Sequence, residues 1–329
     1  MKITIIGDGG WGTAVGLLLN SYGHAVTLWG PFEEYLGEIR ARRENTRFLP
    51  GVALPDTLRW TADPAAALAG AEAVVLVSPS KFYADVCAKF RGLVPSGTLV
   101  ISLTKGLCEN SHCRMSELAQ SILGVDAIAV LSGPSHAEEV ARGVPTAVVA
   151  AAEDEAVARR VQQLFNGPLF RVYTSTDPLG VEIGGAVKNV IAIAVGASDG
   201  LGFGDNTRAA LITRGLAEIT RFGIALGARP ETFAGLSGIG DLIVTCTSRH
   251  SRNHSVGERL GRGESIDAIL GSMKMVAEGV WNSKVIHLLG RARSVEMPIT
   301  DIVHALCYEG FSARTAVETL MTRDMKPEA

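Results

Sequence analysis

The chain has 329 residues, 47% of them hydrophobic, and its 31 basic and 34 acidic residues give a net charge of -3. Because this length exceeds that of one ordinary domain, the sequence predicts two domains with a large core. The near balance of charge argues against general binding to nucleic acid or to an anionic membrane, so any anionic ligand must be held by a local site.

Targeting and redox features predict a cytoplasmic protein. Residues 2–6 form a β-branched run that leads straight into Gly7 and leaves no room for a signal peptide. The longest weakly polar run, residues 183–198, is interrupted by Lys188 and is shorter than the about 20 residues that a membrane span requires. The five cysteines form no Cys-x-x-Cys pair, and we interpret them as reduced thiols.

A strand, a glycine turn and a helix open the chain. The run at residues 2–6 is followed by Gly7-Asp-Gly-Gly-Trp-Gly12 and then by apolar residues with helical spacing. In this G-x-G-x-x-G pattern Gly7 permits the tight turn, Gly9 lets backbone amides approach a pyrophosphate, and Gly12 lets the helix lie close to the strand. An ordinary glycine-rich turn is the alternative. The unpaired amides and positive dipole of the helix N-terminus favour a dinucleotide site.

The second predicted strand, residues 25–29, ends without an acid. A fold selective for NAD usually has a carboxylate here, about 20 residues after the glycine motif, that binds the ribose hydroxyls. Gly30 and Pro31 follow this strand instead, and Glu33 and Glu34 come later. The choice between NAD and NADP therefore stays open.

Strands and helices continue to alternate up to residue 176. Further buried strands are predicted at residues 73–77, 98–101, 127–131, 145–150 and 170–173. The alternation predicts an α/β fold with a Rossmann-like, doubly wound, mostly parallel sheet. Ligands of such sheets lie beyond the carboxyl ends of the strands, so we expect Lys105 and the segment 133–136 at the site. A solvated loop lysine is the alternative for Lys105.

After residue 176 the predicted elements are all helical. Asp177 and Pro178 are typical of an N-cap and a first helical residue. Further helices are predicted at residues 208–226, 255–260, 265–271, 277–289, 300–308 and 313–321, with the first and fourth of these closing on Gly227 and Gly290. We therefore expect a dinucleotide-binding Rossmann domain at residues 1–176 and an all-α, substrate-binding domain at residues 177–329.

Lys188 is the only charged residue between Glu182 and Asp199. An unpaired buried ammonium is costly and tends to have a lowered pKa, so this lysine requires a partner or a catalytic role. A purely structural ion pair is the alternative. Asp241 lies among apolar residues and glycines and is a candidate partner.

The segment 248–254 is polar and basic. Its Arg249, Arg252 and Asn253 supply the forked and amide donors that suit a phosphate, while an exposed basic turn is the alternative. His250 and His254 have a spacing compatible with a metal site. No acid or cysteine completes a ligand set in the same stretch, so we expect no metal.

Seven motifs carry a resemblance to a known family. They are Gly7-Asp-Gly-Gly-Trp-Gly-Thr13, Thr104-Lys-Gly-Leu107, Ser132-Gly-Pro-Ser-His-Ala137, Gly184-Gly-Ala-Val-Lys-Asn189, Gly238-Ile-Gly-Asp241, Ser251-Arg-Asn253 and Ala277-Glu-Gly279. In this order they resemble the motifs of bacterial-type NAD(P)-dependent glycerol-3-phosphate dehydrogenases, over nearly the whole chain. The resemblance implies reversible reduction of dihydroxyacetone phosphate to sn-glycerol 3-phosphate with NAD or NADP as cofactor. It also implies a role in phospholipid synthesis and a homodimer.

The resemblance also implies roles for individual residues. Lys188 matches the proton donor and acceptor. Lys105 and three further residues match the family's residues around the reacting carbonyl, namely Asn189, Asp241 and Thr245. Arg252 and Asn253 match the family's phosphate clamp. Further substrate contacts match Gly133, Ser135 and Ser251. The positions that match the family's cofactor contacts are Gly10, Trp11, Lys105, Ala137, Arg252, Val276 and Glu278. The glycine turn contributes Gly7, Gly9 and Gly12 as further candidates. Pro31, after the second strand, is the last candidate for a cofactor contact.

Three residues depart from the family pattern. Gly10 replaces a common Ser or Asn, Pro31 replaces a residue that is often basic or His, and Asp8 replaces a common alanine. We expect the Asp8 carboxylate to point away from the pyrophosphate turn. Two other readings remain open, namely a β-hydroxyacid dehydrogenase of related architecture and a non-catalytic dinucleotide sensor.

Overall fold

The computed structural model describes residues 1–273, 275–325 and 327. Eight strands form one sheet: β1 (Lys2–Ile6), β2 (Ala25–Trp29), β3 (Arg59–Thr61), β4 (Ala73–Leu76), β5 (Leu99–Ser102), β6 (Ala129–Ser132), β7 (Thr146–Ala151) and β8 (Phe170–Ser175). The helices of this half are α1 (Gly10–Ser21), α2 (Glu33–Arg42), α3 (Pro64–Leu68), α4 (Ser80–Ala88), α5 (Met115–Leu123), α6 (Ala137–Ala141) and α7 (Glu155–Phe165).

The rest of the described chain is helical. It contains α8 (Pro178–Gly200), α9 (Asp205–Leu226), α10 (Pro230–Phe233), α11 (Asp241–Thr247), α12 (Arg252–Gly261), α13 (Ile266–Ser272), α14 (Glu278–Ala292), α15 (Pro298–Tyr308) and α16 (Ala313–Met321). A single π-helical turn, Leu236–Gly240, precedes α11.

The sheet has the strand order β3-β2-β1-β4-β5-β6-β7-β8. All neighbouring strands are parallel except β6 and β7, which are antiparallel. This confirms the predicted doubly wound, mostly parallel sheet. The chain order reverses between β1 and β4, so the crevice beyond their carboxyl ends is the expected place for a ligand. The strand β3 and the helix α2 were not predicted.

The central strands are buried because helices cover both faces of the sheet. All residues of β4, β5 and β6 are buried, which explains their continuous apolar sequence. One core cluster lies against each face of the sheet, and a third surrounds α8.

Helix α8 is the core of the helical half. Its N-cap is Asp177, whose carboxylate accepts a hydrogen bond of 2.9 Å from the amide of Gly180, and Pro178 is the first helical residue, as predicted. By length and hydropathy α8 is the one described helix that could span a membrane, but 94% of its most apolar window is buried inside the protein. Glycines allow its close contact with α12, since a Cβ atom on Gly196 or Gly257 would collide with the backbone of the other helix.

Several predicted boundaries are confirmed and others are wrong. Helices α7 and α16 have the predicted bounds, and α9 ends at the left-handed Gly227. Helix α14 does not close on Gly290 but continues to Ala292, because Gly290 is a packing position whose added Cβ would lie 3.1 Å from Met297. Helix α12 starts at Arg252, so the last three residues of the predicted polar segment 248–254 are helical.

Candidate active site

In the glycine turn after β1, Gly7, Gly10 and Gly12 lie close to neighbouring backbone, whereas Gly9 faces open space. Gly7 has a φ of +135°, and a Cβ atom added to it would lie 2.9 Å from the carbonyl oxygen of Val77. A Cβ on Gly12 would collide with the Gly7 carbonyl, and one on Gly10 with the Phe48 carbonyl. In this chain the Phe48 carbonyl therefore leaves no room for a side chain at position 10.

The same turn has the properties of a pyrophosphate cradle. Gly9 is the N-cap of α1 and supplies no side chain to the exposed helix amides. A Cβ atom added to Gly9 would meet nothing within 4 Å. Uncapped amides that face open space at a helix N-terminus suit an anion, so these residues fit the pyrophosphate of a dinucleotide.

The other proposed cofactor residues come from both halves of the chain. Trp11 packs against the sheet core, and Ala137 lies 3.8 Å from the position of a Cβ on Gly10. Pro31 is exposed and is the second residue after β2. From the helical half, the carbonyl of Val276 accepts a 2.7 Å hydrogen bond from Arg252.

Glu278 links the two halves. Its carboxylate accepts hydrogen bonds from the amide of Ser80, at 3.0 Å, and from the Ser80 hydroxyl. Loss of hydration raises the pKa of Glu278, against the opposing influence of Ser80 and of the Arg252 charge. The sequence contained no signal for this pairing, because Ser80 and Glu278 are separated by 198 residues.

A cluster of two lysines and one carboxylate lies at the carboxyl edge of the sheet. Lys188 donates hydrogen bonds to Asp241 Oδ1 and, at 2.7 Å, to Thr245 Oγ1. Lys105 donates to Asp241 Oδ2 at 2.8 Å and to the carbonyl of Gly133 at 2.9 Å. Five of the residues singled out by the sequence therefore meet in one cluster, which we call the lysine cluster.

Burial sets the charges within the lysine cluster. Lys188 is 5% exposed and Asp241 is 1% exposed. Burial, opposed by the charge of Asp241 and assisted by the charge of Lys105, lowers the pKa of Lys188 to about 7. Burial raises the pKa of Asp241, but the two ammonium groups outweigh burial and hold this pKa below its usual value.

Glycines bring the parts of the lysine cluster together. A Cβ atom on Gly184 of α8 would collide with the carbonyl of Ser237, so the π-helical turn lies directly on α8 and starts α11 opposite Lys188. A Cβ atom on Gly185 would lie 3.1 Å from Ser132 Oγ and 3.5 Å from the side chain of Lys105. The Gly-Gly pair of the motif is therefore required for the approach of both neighbours.

Asn253 and Asn189 form a second polar group beside α8. The Asn253 side chain donates to Asn189 Oδ1 at 2.9 Å and accepts from the amide of Gly279 at 2.9 Å. Asn189 also donates to the carbonyl of Gly185 at 3.2 Å. Asn253 thus joins α8, α12 and α14, and this arrangement leaves one of its amide hydrogens for another acceptor.

The remaining predicted substrate residues lie at loop and helix ends. Ser251 caps α12, with its hydroxyl accepting a 3.2 Å hydrogen bond from the amide of His254. Arg252 is exposed and lies with Val276 and Glu278 rather than in the lysine cluster. The Ser135 hydroxyl donates to the carbonyl of Gly133 at 2.9 Å.

Two polar side chains near the lysine cluster, those of Ser132 and His136, were given no individual role from the sequence, although His136 lies in the segment 133–136 that was expected at the site. Ser132 Oγ and His136 Nε2 are buried and have no hydrogen-bond partner among the described residues. Burial lowers the pKa of His136, and the charges of Lys188 and Lys105 lower it further. Buried polar atoms without a partner are candidates for contact with a ligand. Their position, Ser132 at the end of β6 and His136 shortly after it, was the available signal.

The histidines predicted not to bind metal have other neighbours. His254 Nε2 lies 2.8 Å from Asp199 Oδ2, and the ring of His250 lies 5.8 Å from that of His136. Within the described residues, no group of three or more His, Cys, Asp or Glu side chains is arranged to hold a metal ion.

Comparisons with known proteins agree with this architecture. Two family models match: the NAD-dependent glycerol-3-phosphate dehydrogenase N-terminus over residues 2–158, and the C-terminus of the same family over residues 177–318. The chain is 51% identical to the glycerol-3-phosphate dehydrogenase [NAD(P)+] of Citrifermentans bemidjiense, covering 99% of this chain and 98% of the relative. It is 48% identical to that of Chlorobium limicola, covering 100% and 99%.

Solved structures show the same similarity. The crystal structure of glycerol-3-phosphate dehydrogenase from Coxiella burnetii superposes with a TM-score of 0.94 at 39% identity, covering 98% of this chain and 99% of that one. A ketopantoate reductase from Ralstonia eutropha shares the fold, with a TM-score of 0.63 at 18% identity over 98% of this chain and 100% of that one.

Proposed function

This chain belongs to the family of NAD-dependent glycerol-3-phosphate dehydrogenases, and on that basis we propose how its residues reduce dihydroxyacetone phosphate to sn-glycerol 3-phosphate with NADH or NADPH. The comparisons do not favour a β-hydroxyacid dehydrogenase or a non-catalytic sensor. The observation that supports the proposal is the buried Lys188, held by Asp241 at the carboxyl edge of a dinucleotide-binding sheet.

Lys188 is the proposed proton donor in reduction and proton acceptor in oxidation. The bound nicotinamide supplies or receives the hydride, and the oxygen of the substrate needs a proton from the protein. A pKa of about 7 lets Lys188 exist in either protonation state near neutral pH, which suits both directions. The described residues accept two of its three N–H donors, which leaves the third for the substrate oxygen.

Lys105 and Asp241 complete the proposed catalytic group. The ammonium of Lys105 also has two of its three donors engaged, by Asp241 and Gly133, and the third stabilises negative charge on the reacting oxygen. Asp241 holds both lysines in fixed directions. Thr245 accepts from Lys188 and donates to the Asp241 carbonyl at 2.6 Å, so it sets the position of the Lys188 amine. Asn189 lies beside this group and orients Asn253.

The phosphate end of the substrate is the proposed ligand of the α12 N-terminus. Arg252 uses one N–H on Val276 and keeps the rest of its guanidinium exposed. Ser251 and Asn253 flank it, and Gly133 and Ser135 contribute from the sheet edge. Binding energy from this end of the substrate then holds the carbonyl in position for hydride transfer.

The cofactor is proposed to lie between the two halves. Its pyrophosphate binds at Gly9 and the N-terminus of α1, with Gly7, Gly10, Trp11 and Gly12 shaping the turn. Ala137 lies beside Gly10, and Arg252, Val276 and Glu278 are proposed to contact the cofactor from the helical half. Pro31 is proposed to contact the adenosine end. The proposed division into a dinucleotide-binding domain at residues 1–176 and a substrate-binding domain at residues 177–329 places this cleft between the domains.

The proposed cellular setting follows the family resemblance. The product feeds glycerophospholipid synthesis, and the protein acts in the cytoplasm as a homodimer. All five cysteines are free thiols, which agrees with a reducing compartment.

A comparison of substrates tests this function. We expect the purified protein to oxidise NADH or NADPH when dihydroxyacetone phosphate is added, and to reduce NAD poorly with 3-hydroxyisobutyrate. Absence of oxidation dependent on dihydroxyacetone phosphate with both cofactors would overturn the proposal. Turnover of 3-hydroxyisobutyrate alone would support the β-hydroxyacid reading.

A further inference from the structure

Asp8, the second residue of the glycine turn, has its carboxylate at the end of β2. A Cβ atom added to Gly30 would lie 2.5 Å from Asp8 Oδ2 and 2.7 Å from Asp8 Cγ. The carboxylate therefore fills the space that a side chain at position 30 would occupy. Gly30 directly follows β2. Asp8, in the turn after the neighbouring strand β1, therefore places an acid at the end of β2.

The residues of β2 itself supply no acid there. Trp29 is 2% exposed, and its indole N–H donates to the carbonyl of Ala62 at 2.9 Å, so it belongs to the core. Glu33 comes later and is paired with Arg40, with 61% of its side chain exposed. In dinucleotide folds an acid at this strand end binds the two hydroxyls of the adenosine ribose.

We propose that Asp8 is the ribose-binding acid of this protein and that it selects NAD over NADP. This inference rests on the proposed function of the chain as a dinucleotide-dependent dehydrogenase. An ionised carboxylate accepts hydrogen bonds from ribose hydroxyls. A phosphate on the 2′ oxygen would instead bring like charge against a half-buried carboxylate, which disfavours NADP.

The neighbours of Asp8 fix its position. Asn45 is fully buried and donates both to the Asp8 carbonyl, at 2.8 Å, and to Thr13 Oγ1, at 2.7 Å. The backbone of Asp8 is thereby held against α1, and its side chain is directed over Gly30.

Arg47 is the cation whose charge acts on Asp8. Burial raises the pKa of Asp8, whereas the charge of Arg47 and a backbone hydrogen bond lower it. The Arg47 guanidinium lies 4.3 Å from the centre of the Tyr35 ring. Once the carboxylate is neutralised, this arginine becomes available to a 2′-phosphate, since arginine is the usual partner of that group in NADP-binding folds.

Equilibrium binding of NADH and NADPH, followed by quenching of tryptophan fluorescence, tests this inference on the full chain. We expect wild type to bind NADH more tightly, with a Kd ratio on the order of 100-fold. In Asp8→Asn and Asp8→Ser the ratio falls by about tenfold or more, chiefly through tighter NADPH binding. In Gly30→Ala the new methyl group displaces the carboxylate, so NADH binding weakens.

Glu33→Gln is the matched control, because it removes a nearby acid that does not lie at the strand end. We expect it to leave the NADH to NADPH ratio unchanged. The inference is wrong if wild type binds both dinucleotides equally, if neither Asp8 variant changes the ratio, or if Glu33→Gln changes it instead. A failure of the proposed function is distinguishable, since it would abolish turnover of dihydroxyacetone phosphate while these binding ratios persist.

Discussion

The ammonium of Lys188 donates a hydrogen bond to the carboxylate of Asp241, and both side chains are almost completely buried. Asp241 also accepts from Lys105, so one carboxylate faces two cations. Burial, assisted by the charge of Lys105 and only partly offset by Asp241, lowers the pKa of Lys188 to about 7, so its proton is easily lost near neutral pH. The geometry thus gives a lysine the acid–base behaviour that a dehydrogenase requires.

Reduction and oxidation should depend on pH in opposite directions. Reduction needs the ammonium form of Lys188 and oxidation needs the neutral amine. With a pKa lowered to about 7, kcat/KM for dihydroxyacetone phosphate should fall as pH rises through this value, and kcat/KM for sn-glycerol 3-phosphate should rise. Initial rates in both directions between about pH 6 and pH 9 check this. The same pH dependence in both directions would exclude Lys188 as the exchanging group.

Asp241→Asn should change both stability and pH dependence. The neutral amide leaves the buried ammonium of Lys188 and the partly buried ammonium of Lys105 uncompensated, so we expect the free energy of unfolding to fall by about 3–5 kcal/mol. The pKa of Lys188 should fall further, so that reduction is lost at a lower pH than in wild type. Asp205→Asn is the control, because Asp205 is 93% exposed and its ion pair with Arg208 contributes at most about 1 kcal/mol. Equal effects of the two variants would contradict the proposed role of Asp241.

Arg252→Ala should weaken binding of the substrate more than it slows turnover. Loss of a charged hydrogen-bonding partner of the phosphate should raise KM for dihydroxyacetone phosphate about 10- to 100-fold at saturating cofactor. Arg262→Ala, at the C-cap of the same helix and paired with Glu258, serves as the control and should leave KM unchanged. A normal KM in Arg252→Ala would contradict the proposed binding of the substrate phosphate by Arg252.

Replacement of Glu218, which lies outside the lysine cluster, should lower the stability of the fold. Its buried carboxylate accepts hydrogen bonds from the amides of Ile299 and Thr300 and so caps α15. Glu218→Ala should lower the free energy of unfolding by about 2–3 kcal/mol. Burial raises the pKa of Glu218 to about 7, so its contribution is present at low pH and is lost as pH rises through that value.

Denaturant unfolding of wild type and Glu218→Ala at two pH values checks this sign. The difference between the two proteins should be larger at about pH 5 than at about pH 8. A difference that grows with pH would mean that the carboxylate, rather than the carboxylic acid, is the form that the fold stabilises.

Local signals in the sequence predicted much of the fold. The N-cap Asp177, the proline that follows it and the helical spacing of apolar residues gave the start of α8, and α7 was predicted with its observed bounds. Helix α2 was missed because only three of its residues are buried, which leaves a weak apolar pattern. The three-residue strand β3 is too short to produce a pattern.

The candidate site was predictable where single residues were conspicuous. Lys188 stood out as a charge in an apolar run, and Asp241 as its partner. Pairings between distant residues, such as Ser80 with Glu278, have no local signal because tertiary packing alone brings them together. The same reason concealed the position of the Asp8 carboxylate over Gly30.

The most direct test of the account is the turnover of Lys188→Ala with dihydroxyacetone phosphate, measured beside its affinity for NADH. We expect kcat to fall by about 10²- to 10⁴-fold while the Kd for NADH stays near that of wild type, because the amine acts on the proton and not on the dinucleotide. Lys284→Ala, which removes a half-exposed lysine paired with Glu109, should leave both values unchanged. A Lys188→Ala protein with near-normal kcat would contradict the central role of this lysine.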